Sequence, residues 1–372
     1  MNVRPLDPPR RFRVGEIEIS HVADVELDDD EQVTFTTAGG TEFDVVRKAW
    51  GYYATPSLNR RLPEHGLRPA LCRGPDGRTT ILLCERGHEG AFAAYLGEQR
   101  MRVLGWLDLE YCPMCGLPGM EPHFRYDARP EGETFFELHG EDYRRDVLRC
   151  PSCGHFVSRT PLDLSSLYDG EYMDATYAGD RLRTTYERIM ALPPDQSDNV
   201  ARVARVVDEL GTEGRVLDVG SGLGVFPARM QESGWTAVAL DPDPRAVAHT
   251  REVIGIEAVQ ADFFAADLDD LERFDLVTLN KVLEHVEDPA AMLARARSLV
   301  VEGGCVYIEL PDGEAAAEDG PGREEFFVEH LHVFSLASMA LLANHAGLRL
   351  LRAERLREPS TKFTLFAFCV PR

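Results

Sequence analysis

The chain has 372 residues, of which 44% are hydrophobic and 28% charged, the composition of an ordinary globular protein. This length allows two or three domains, because single hydrophobic cores rarely grow beyond about 250 residues. The formal net charge of −23 disfavours a nucleic-acid substrate, since it would repel a phosphate backbone. No apolar run reaches the roughly 20 residues needed to cross a bilayer. The first residues lead into charged sequence rather than the apolar part of a signal peptide, so a cytoplasmic location is expected.

Residues 1–107 contain no recognisable motif. Strand-like segments at Glu16–Ser20 and Thr79–Cys84 are separated by glycine-containing turns, and Gly90–Leu96 is typical of a helix. The pattern predicts a small α+β domain of unknown role. A protein partner from the same pathway is expected to dock, if anywhere, on this region.

Four cysteines form two C-x-x-C pairs, Cys112 with Cys115 and Cys150 with Cys153, and a glycine follows each pair. Four thiolates make a closed tetrahedral site, so the spacing predicts a structural Zn²⁺ within a module at residues 108–158. Disulfides and unrelated free thiols are the alternatives, and the absence of an export signal disfavours disulfides. The segment Glu133–Arg145 is expected to form a hairpin or helix inside the module, and residues 159–197 a helical connector. The remaining cysteines, in apolar strand contexts, are predicted core residues: Cys72, Cys84, Cys305 and Cys369.

From residue 198 to 372 the sequence alternates between helical and strand-like segments, which favours a parallel sheet covered by helices on both faces. The helices are predicted at Asn199–Leu210 and Val225–Ser233, and the first strands at Arg215–Val219 and Thr236–Leu240. Further strands are expected near 258–259, 274–279 and 305–310. The segments 349–356 and 363–370 are predicted to form an antiparallel pair at the edge. The fold class is therefore α/β, with a Rossmann-like, mostly parallel sheet.

A glycine-rich loop follows the first of these strands, with Gly220, Gly222 and Gly224 at alternate positions. Glycines let the backbone approach a ligand where a β-carbon would collide. Asp241 follows the next strand and is placed to accept hydrogen bonds from both hydroxyls of a ribose. The two features together predict a nucleoside-containing cofactor. The loop alone leaves a dinucleotide open.

Two observations favour a sulfonium cofactor over a dinucleotide. The loop reads G-x-G-x-G rather than G-x-G-x-x-G, and Asp218 lies within the preceding strand. A carboxylate there would repel a pyrophosphate but suits the ammonium of a methionine moiety. Over about the last 175 residues the sequence thus resembles class I methyltransferases, whose first motif is an acidic residue followed by G-x-G-x-G. The resemblance implies a seven-stranded Rossmann-like fold and S-adenosylmethionine as cofactor.

The resemblance also implies which residues contact this cofactor. Those expected to line its methionine and sugar are Asp218, Gly220, Ser221, Gly222 and Gly224. Asp241, followed by Pro242, matches the ribose-binding acid. Asp262 matches the acid that contacts the adenine amino group, with Phe263 beside the ring. The segment that begins with Asn280, Lys281 and Val282 matches the wall of the cofactor pocket.

Methyl transfer from a sulfonium is an in-line displacement, so the protein must align the acceptor and exclude water. An alcohol acceptor also needs a general base, for which histidine has a suitable pKa. His330 is the first choice, because it follows the fifth strand by a loop expected over the carboxyl ends of the strands, where open α/β sheets bind substrates. Glu329, His332 and His285 are the further candidates.

The segment from Glu329 to Ser335 reads E-H-x-x-x-F-S and resembles methyltransferases of surface-polysaccharide and deoxysugar pathways. Some of these, the C-methyltransferases of keto-deoxysugar nucleotides, also carry a four-cysteine zinc module. They continue into a C-terminal domain, whereas this chain ends at Arg372 and has an extra N-terminal region. A sugar hydroxyl is therefore the expected acceptor, with carbon methylation as the alternative. The sequence also leaves open an RNA methyltransferase with a zinc module, which the acidic charge disfavours, and a non-catalytic scaffold.

Overall fold

The computed structural model describes residues 1–14, 17–49, 51–54, 61–133, 143–162, 181–268 and 271–372. The chain divides into two compact units. The first comprises Met1–Tyr111 and Leu117–Gly119, and the second Cys112–Gly116 and Met120–Arg372. Within the described residues, no helix combines the length and apolar character needed to span a membrane.

In the described part of the first unit, the chain forms three small antiparallel sheets and two helices. Its strands are β1 (Asn2–Val14), β2 (Ile17–Glu26), β3 (Gln32–Thr36), β4 (Glu42–Lys48), β5 (Gly51–Ala54), β6 (Leu67–Arg73), β7 (Thr79–Glu85) and β8 (Arg102–Trp106). Its helices are α1 (Arg61–Glu64) and α2 (Glu89–Glu98). The strands pair as β1-β2, β3-β4-β5 and β7-β6-β8. A small core forms around Ala70, Cys72 and Leu96, as expected for a modest α+β domain.

The second unit opens with the paired cysteines and a short sheet. Its first elements are β9 (Glu121–Tyr126), β10 (Arg145–Arg149), β11 (Phe156–Arg159) and α3 (Arg181–Met190). Residues 134–142, most of the insertion expected to form a hairpin or helix, lie outside the described residues. The same holds for residues 163–180 of the expected helical connector, whose later part forms α3.

A seven-stranded sheet forms the centre of the second unit. Its strands are β12 (Arg215–Val219), β13 (Thr236–Asp241), β14 (Glu257–Gln260), β15 (Phe274–Asn280), β16 (Val300–Pro311), β18 (Leu348–Arg357) and β19 (Phe363–Pro371). The helices of this part are α4 (Asp198–Leu210), α5 (Val225–Glu232), α6 (Pro244–His249), α7 (Pro289–Ser298), α8 (Gly313–Asp319) and α9 (Leu336–His345). Central strands read as nearly continuous apolar runs because helices cover both faces of the sheet.

The strands of this sheet are ordered β14-β13-β12-β15-β16-β19-β18. All neighbours are parallel except those of β19, which runs antiparallel to β16 and β18. The predicted Rossmann-like fold, with its antiparallel closing pair, is confirmed. After β12 the chain forms β13 and β14 on one side of that strand and then returns to form β15 on the other side. A crevice therefore opens between the carboxyl ends of β12 and β15, where ligands of open α/β sheets bind.

A two-residue strand, β17 (His332–Val333), belongs to a different sheet from its sequence neighbours. It pairs antiparallel with β11 and completes a four-stranded sheet of order β17-β11-β10-β9. The cysteine-bearing region and the Rossmann-like part therefore share a sheet within one compact unit. The predicted boundaries at residues 158 and 198 remain predictions.

Candidate active site

The glycine loop after β12 combines tight packing with one open position. Gly224 has a φ of +72°, and a β-carbon there would lie 2.5 Å from Ile254 Cδ1, so this glycine lets the loop pack closely as α5 begins. Gly222 also has a positive φ, +50°, but a β-carbon there would meet no atom within 4 Å. The backbone at Gly222 therefore borders space that a ligand can fill.

Asp241, at the end of β13, fixes this loop from the neighbouring strand. Its Oδ2 accepts a hydrogen bond from the backbone N–H of Gly222 at 2.8 Å, and its Oδ1 accepts one from the N–H of Asp243 at 2.9 Å. Burial raises the pKa of this carboxyl, although the two N–H donors favour the charged form. The predicted ribose-binding acid thus lies directly against the open position of the loop.

Asp218 lies in β12 and is 3% exposed. Its Oδ1 accepts hydrogen bonds from Thr278 Oγ1 at 2.6 Å and from Asn280 Nδ2 at 2.9 Å, both on the adjacent strand β15. Burial raises the pKa of Asp218 to about 6, and these two donors limit the rise. The Oδ1 atom of Asn280 is buried and has no hydrogen-bond partner among the described residues. A carboxylate and an unpartnered carbonyl oxygen therefore lie together at the switch point and suit a positively charged donor.

The remaining predicted cofactor residues occupy different environments. Asp262 is exposed just after β14, and its Oδ1 accepts a hydrogen bond from the N–H of Phe264 at 2.8 Å. Phe263 is only 4% exposed, with the guanidinium of Arg295 5.5 Å from its ring centre, so its ring belongs to the core. Of the adenine-contacting pair predicted from sequence, Asp262 alone presents its side chain at the surface.

The pocket wall after β15 begins with a left-handed residue. Lys281 has a φ of +60°, and its Nζ donates to Thr364 Oγ1 at 2.8 Å. Val282 packs against the glycine loop, where a β-carbon on Gly220 would lie 2.8 Å from its Cγ2 atom. Val282 therefore packs against the glycine loop, whereas the side chain of Lys281 is held by the closing strand β19.

The donor and acceptor groups present fit S-adenosylmethionine. The acceptors Asp218 and Asn280 Oδ1 suit its ammonium, Asp241 suits its ribose hydroxyls, and the open position at Gly222 accommodates its adenosyl part. A pyrophosphate would instead meet carboxylates at both strand ends. The predicted contacts of individual residues remain predictions.

A second cluster of polar side chains forms where two loops meet beyond the strand ends. His285 lies in the loop after β15, and its Nδ1 is 2.9 Å from the backbone oxygen of Glu329. His330 Nδ1 is 2.8 Å from the backbone oxygen of Glu325. The two imidazole rings meet edge to face, with centroids 4.9 Å apart. In each ring Nδ1–H donates to a backbone carbonyl, which directs Nε2 away from that carbonyl.

Two buried carboxyl groups accompany these histidines. Glu284 is 1% exposed and Glu329 9% exposed, and burial raises the pKa of both. Burial and the neighbouring His285 lower the pKa of His330 well below its ordinary value, so this imidazole is neutral at physiological pH. The structure thus brings three of the four predicted catalytic candidates together, namely His285, Glu329 and His330. Glu284, which no sequence pattern marked as a candidate, completes the group.

His332, the fourth candidate, has a different partner. Its Nδ1 lies 3.1 Å from His155 Nε2, and the two rings stack. Burial lowers the pKa of His332 to about 4. This side chain joins β17 to the cysteine-bearing sheet.

The loop that carries Glu329 and His330 is fastened to that sheet by a buried ion pair. Glu133 and Arg145 approach to 3.4 Å with both side chains fully buried. Glu133 also accepts a hydrogen bond from the N–H of Val328 at 2.7 Å, and Arg145 donates to the backbone oxygen of Phe326. The geometry of the histidine cluster therefore depends on residues more than 180 positions earlier in the chain. No local sequence pattern marks this pair.

The four paired cysteines converge as their spacing predicts. Cys112 Sγ is 3.5 Å from Cys153 Sγ, and Cys115 Sγ is 3.6 Å from Cys150 Sγ. All four sulfur atoms lie within 4.8 Å of one another. Zinc–sulfur bonds of about 2.3 Å in a tetrahedron place the sulfurs about 3.8 Å apart, which this cluster matches.

Each cysteine pair forms the same tight turn. The N–H of Gly116 donates to the backbone oxygen of Cys112, and that of Gly154 to the backbone oxygen of Cys150, both at 2.9 Å. All eight cysteines of the chain are free thiols, so the disulfide alternative does not apply to this structure. Burial raises the pKa of Cys112 to about 11, whereas hydrogen bonds to its sulfur lower the pKa of Cys150 to about 7, so a cation would be needed to hold Cys112 as a thiolate.

Comparison with known proteins identifies the Rossmann-like part. Residues 188–353 match a family model described as a methyltransferase domain. A ubiquinone biosynthesis O-methyltransferase of Xanthomonas campestris pv. campestris (strain B100) is 34% identical over 108 residues, which are 28% of this chain and 45% of that protein. The protein of the same name from Pseudomonas fluorescens is 31% identical over 128 residues, 33% of this chain and 55% of that protein. The chain thus spans about half the length of these relatives.

Solved structures of methyltransferases resemble the chain more distantly. A Burkholderia thailandensis 1,6-didemethyltoxoflavin-N1-methyltransferase with bound S-adenosylhomocysteine is 21% identical, with a TM-score of 0.42 over 63% of this chain and 98% of that one. The magnesium protoporphyrin IX methyltransferase of Synechocystis PCC 6803 is 15% identical, with a TM-score of 0.42 over 56% of this chain and 100% of that one. The assignment rests on the family match and on the strand order of the chain itself. Residues 188–353 therefore carry a methyltransferase domain with a Rossmann-like fold.

Proposed function

We propose that the protein transfers a methyl group from S-adenosylmethionine to a hydroxyl oxygen of a small molecule, and that this hydroxyl belongs to a sugar. The observation that carries the proposal is the pair of acceptors at the switch point, the Asp218 carboxylate and the unpartnered Asn280 Oδ1. Both acceptors lie toward the carboxyl ends of the parallel strands, and the loops that carry the histidine cluster lie at the same end of the sheet. This arrangement supports a cation-binding pocket next to a proton acceptor.

When bound, S-adenosylmethionine supplies an electrophilic methyl carbon. Asp218 and Asn280 hold its ammonium, and Asp241 accepts hydrogen bonds from its ribose. Val282 and the glycine loop position the adenosyl part. These residues serve catalysis by alignment, which converts a bimolecular encounter into a reaction between neighbouring groups.

The acceptor hydroxyl must lose its proton as the new bond forms. His330 is the first candidate to receive it, because its Nδ1 is occupied by the Glu325 carbonyl and its Nε2 is left as an acceptor. Burial lowers its pKa, which keeps the ring uncharged and leaves Nε2 with a lone pair. His285 and Glu329 are the alternative acceptors in the same cluster.

Oxygen as the acceptor atom is supported by the relatives, which are named O-methyltransferases. A sugar acceptor is supported by the E-H-x-x-x-F-S segment from Glu329 to Ser335. We further propose that the four cysteines bind a structural Zn²⁺, because their sulfur spacing fits a closed tetrahedral site.

The proposal is tested in two stages with the full chain. Calorimetry with S-adenosylmethionine and S-adenosylhomocysteine measures cofactor binding, with Asp241→Ala as the variant and Asp208→Ala as the control, whose side chain is 80% exposed. We expect binding to the control and at least about tenfold weaker binding to Asp241→Ala, since hydrogen bonds to a charged group contribute about 1.5–3 kcal/mol. Absence of binding to the unaltered protein would favour a non-catalytic scaffold.

The second stage is a methyl-transfer screen with mass detection. The panel contains nucleotide sugars, oligosaccharides, intermediates of ubiquinone biosynthesis and RNA transcripts. We expect methylation of a sugar compound and, by NMR of the product, a methyl group on oxygen. A methyl group on carbon would support the keto-deoxysugar alternative, and transfer to RNA would contradict the proposal.

A further inference from the structure

Three side chains of the histidine cluster form a set of ligand type and spacing suited to a metal ion. Glu284, His285 and His330 each offer one ligand atom, and these atoms lie within 4.8 Å of one another. Metal bonds of about 2.0–2.2 Å place ligands about 3–4 Å apart around one ion. Small side-chain rotations therefore suffice to bring all three atoms onto a shared ion.

Both imidazoles are already oriented as metal-bound histidines are. In proteins such a ring almost always donates its second N–H to a carbonyl or carboxylate, which fixes the tautomer and directs the other nitrogen to the metal. Here Nδ1 of His285 lies 2.9 Å from the backbone oxygen of Glu329, and Nδ1 of His330 lies 2.8 Å from that of Glu325. Nε2 is thus the nitrogen that would bind a metal on both rings.

An independent observation comes from Glu284. This side chain is 1% exposed, and its Oε2 atom has no hydrogen-bond partner among the described residues. The neighbouring cation Lys281 directs its Nζ to Thr364 Oγ1 instead. A buried carboxylate oxygen without a donor is costly, and a cation held with the two imidazoles would satisfy it.

We propose that Glu284, His285 and His330 bind one first-row divalent transition-metal ion at the acceptor site. Two imidazoles and one carboxylate favour such ions over Mg²⁺, which prefers oxygen ligands. Three protein ligands leave coordination positions open. The site thus differs from the closed four-cysteine cluster.

This inference rests on the proposed function and narrows its substrate class. Open positions on one ion suit an acceptor with two adjacent oxygen atoms, such as a vicinal diol of a sugar. An ion held by these residues would lower the pKa of a coordinated hydroxyl, and the Glu329 carboxylate would receive its proton. The oxygen lone pair then forms the C–O bond as the C–S bond breaks, and that electron pair remains on the sulfur. With its Nε2 bound to the ion, His330 no longer receives the proton, and Glu329, an alternative acceptor of the proposed function, takes the role of base.

The experiment titrates the full, zinc-loaded chain with Mn²⁺ and follows free Mn²⁺ by electron paramagnetic resonance. Zinc is supplied at one equivalent per chain and excess is removed, because four thiolates hold Zn²⁺ more tightly than two imidazoles and a carboxylate do; added Mn²⁺ then reports on the nitrogen–oxygen site. We expect one bound Mn²⁺ per chain, and affinity at least about tenfold lower in Glu284→Gln and His330→Ala. His345→Ala is the matched control, an exposed histidine on α9 that should bind like the unaltered chain.

The inference is overturned if the unaltered chain binds no Mn²⁺ in this range, or if both variants bind it equally well. Thermal melting establishes that the variants fold, and His285→Ala replaces any variant that does not. A further measurement removes the ion at Glu284, His285 and His330 while zinc stays on the cysteines. If the chain still binds S-adenosylmethionine and transfers the methyl group at full rate, the metal inference fails and the proposed function stands. If the variants lose Mn²⁺ but the unaltered chain transfers no methyl group, the metal site stands and the proposed function fails.

Discussion

The substitution Asp218→Asn separates the effect of this carboxylate on stability from its effect on the cofactor. Burial raises the pKa of Asp218 from 3.8 to about 6. At about 1.36 kcal/mol per pKa unit, ionisation of this group costs the folded state about 3 kcal/mol at neutral pH. Because the folded-state pKa is the higher one, this cost is absent below the unfolded-state pKa, grows as the pH rises, and is complete above about pH 6.

Asparagine at position 218 keeps an oxygen that can accept from Thr278 and Asn280 while removing the buried charge. We therefore expect the variant to be more stable than the unaltered chain at pH 7.5, by up to about 3 kcal/mol, with the difference disappearing toward pH 4. Its affinity for S-adenosylmethionine should fall about tenfold to 150-fold, because a charge-assisted hydrogen bond contributes about 1.5–3 kcal/mol.

Urea unfolding at a series of pH values measures the first effect, and calorimetry at pH 7.5 the second. Asp208→Asn, a substitution of an exposed acid, is the control for general charge effects. The reasoning is refuted if Asp218→Asn is less stable at pH 7.5 than at pH 4 relative to the unaltered chain. It is equally refuted if the cofactor binds the variant unchanged.

Four further substitutions test the glycine loop, the four-cysteine cluster and the candidate base. Gly222→Ala should weaken cofactor binding and lower the free energy of unfolding by about 1 kcal/mol. Gly224→Ala, whose β-carbon would crowd Ile254, should lower the melting temperature substantially more. Equal melting temperatures of the two variants would contradict this. Cys112→Ser should abolish zinc retention and destabilise the second unit by several kcal/mol, measured by metal analysis and melting; a zinc-free protein with an unchanged melting curve would rule the site out. His330→Ala should reduce turnover at least about 100-fold with cofactor affinity preserved; near-normal turnover would exclude His330 as base or metal ligand.

The cofactor pocket could be predicted because its residues are local in sequence. Gly222 follows Asp218 by one tight turn, and Asp241 ends the next strand, so strand patterning alone brings them to one edge. The sheet itself was predictable for the same reason, since its parallel strands are buried apolar runs separated by amphipathic helices.

The histidine cluster was harder to predict because its geometry depends on distant pairings. His332 and His330 are indistinguishable by spacing, yet His332 pairs with His155, 177 positions away. In the sequence, Glu284 is only an acidic residue within the segment predicted to wall the cofactor pocket. Its burial beside two imidazoles, which the structure shows, is what marks it as a candidate ligand. Glu133 lies between the two cysteine pairs, where no local pattern marks it, and still anchors the loop.

The pairing of β17 with β11 matters for the design of truncated fragments. A fragment that begins at residue 188 would keep His332 and Val333 but lose β11, to which they pair. The strand left behind would expose unpaired N–H and C=O groups to solvent, which favours intermolecular pairing and aggregation. The cysteine sheet expressed alone would suffer the converse loss. Truncated versions of the protein should therefore retain both β11 and β17. Low solubility of a fragment that lacks one of these strands would indicate the loss of their pairing, not low intrinsic stability of the remaining sequence.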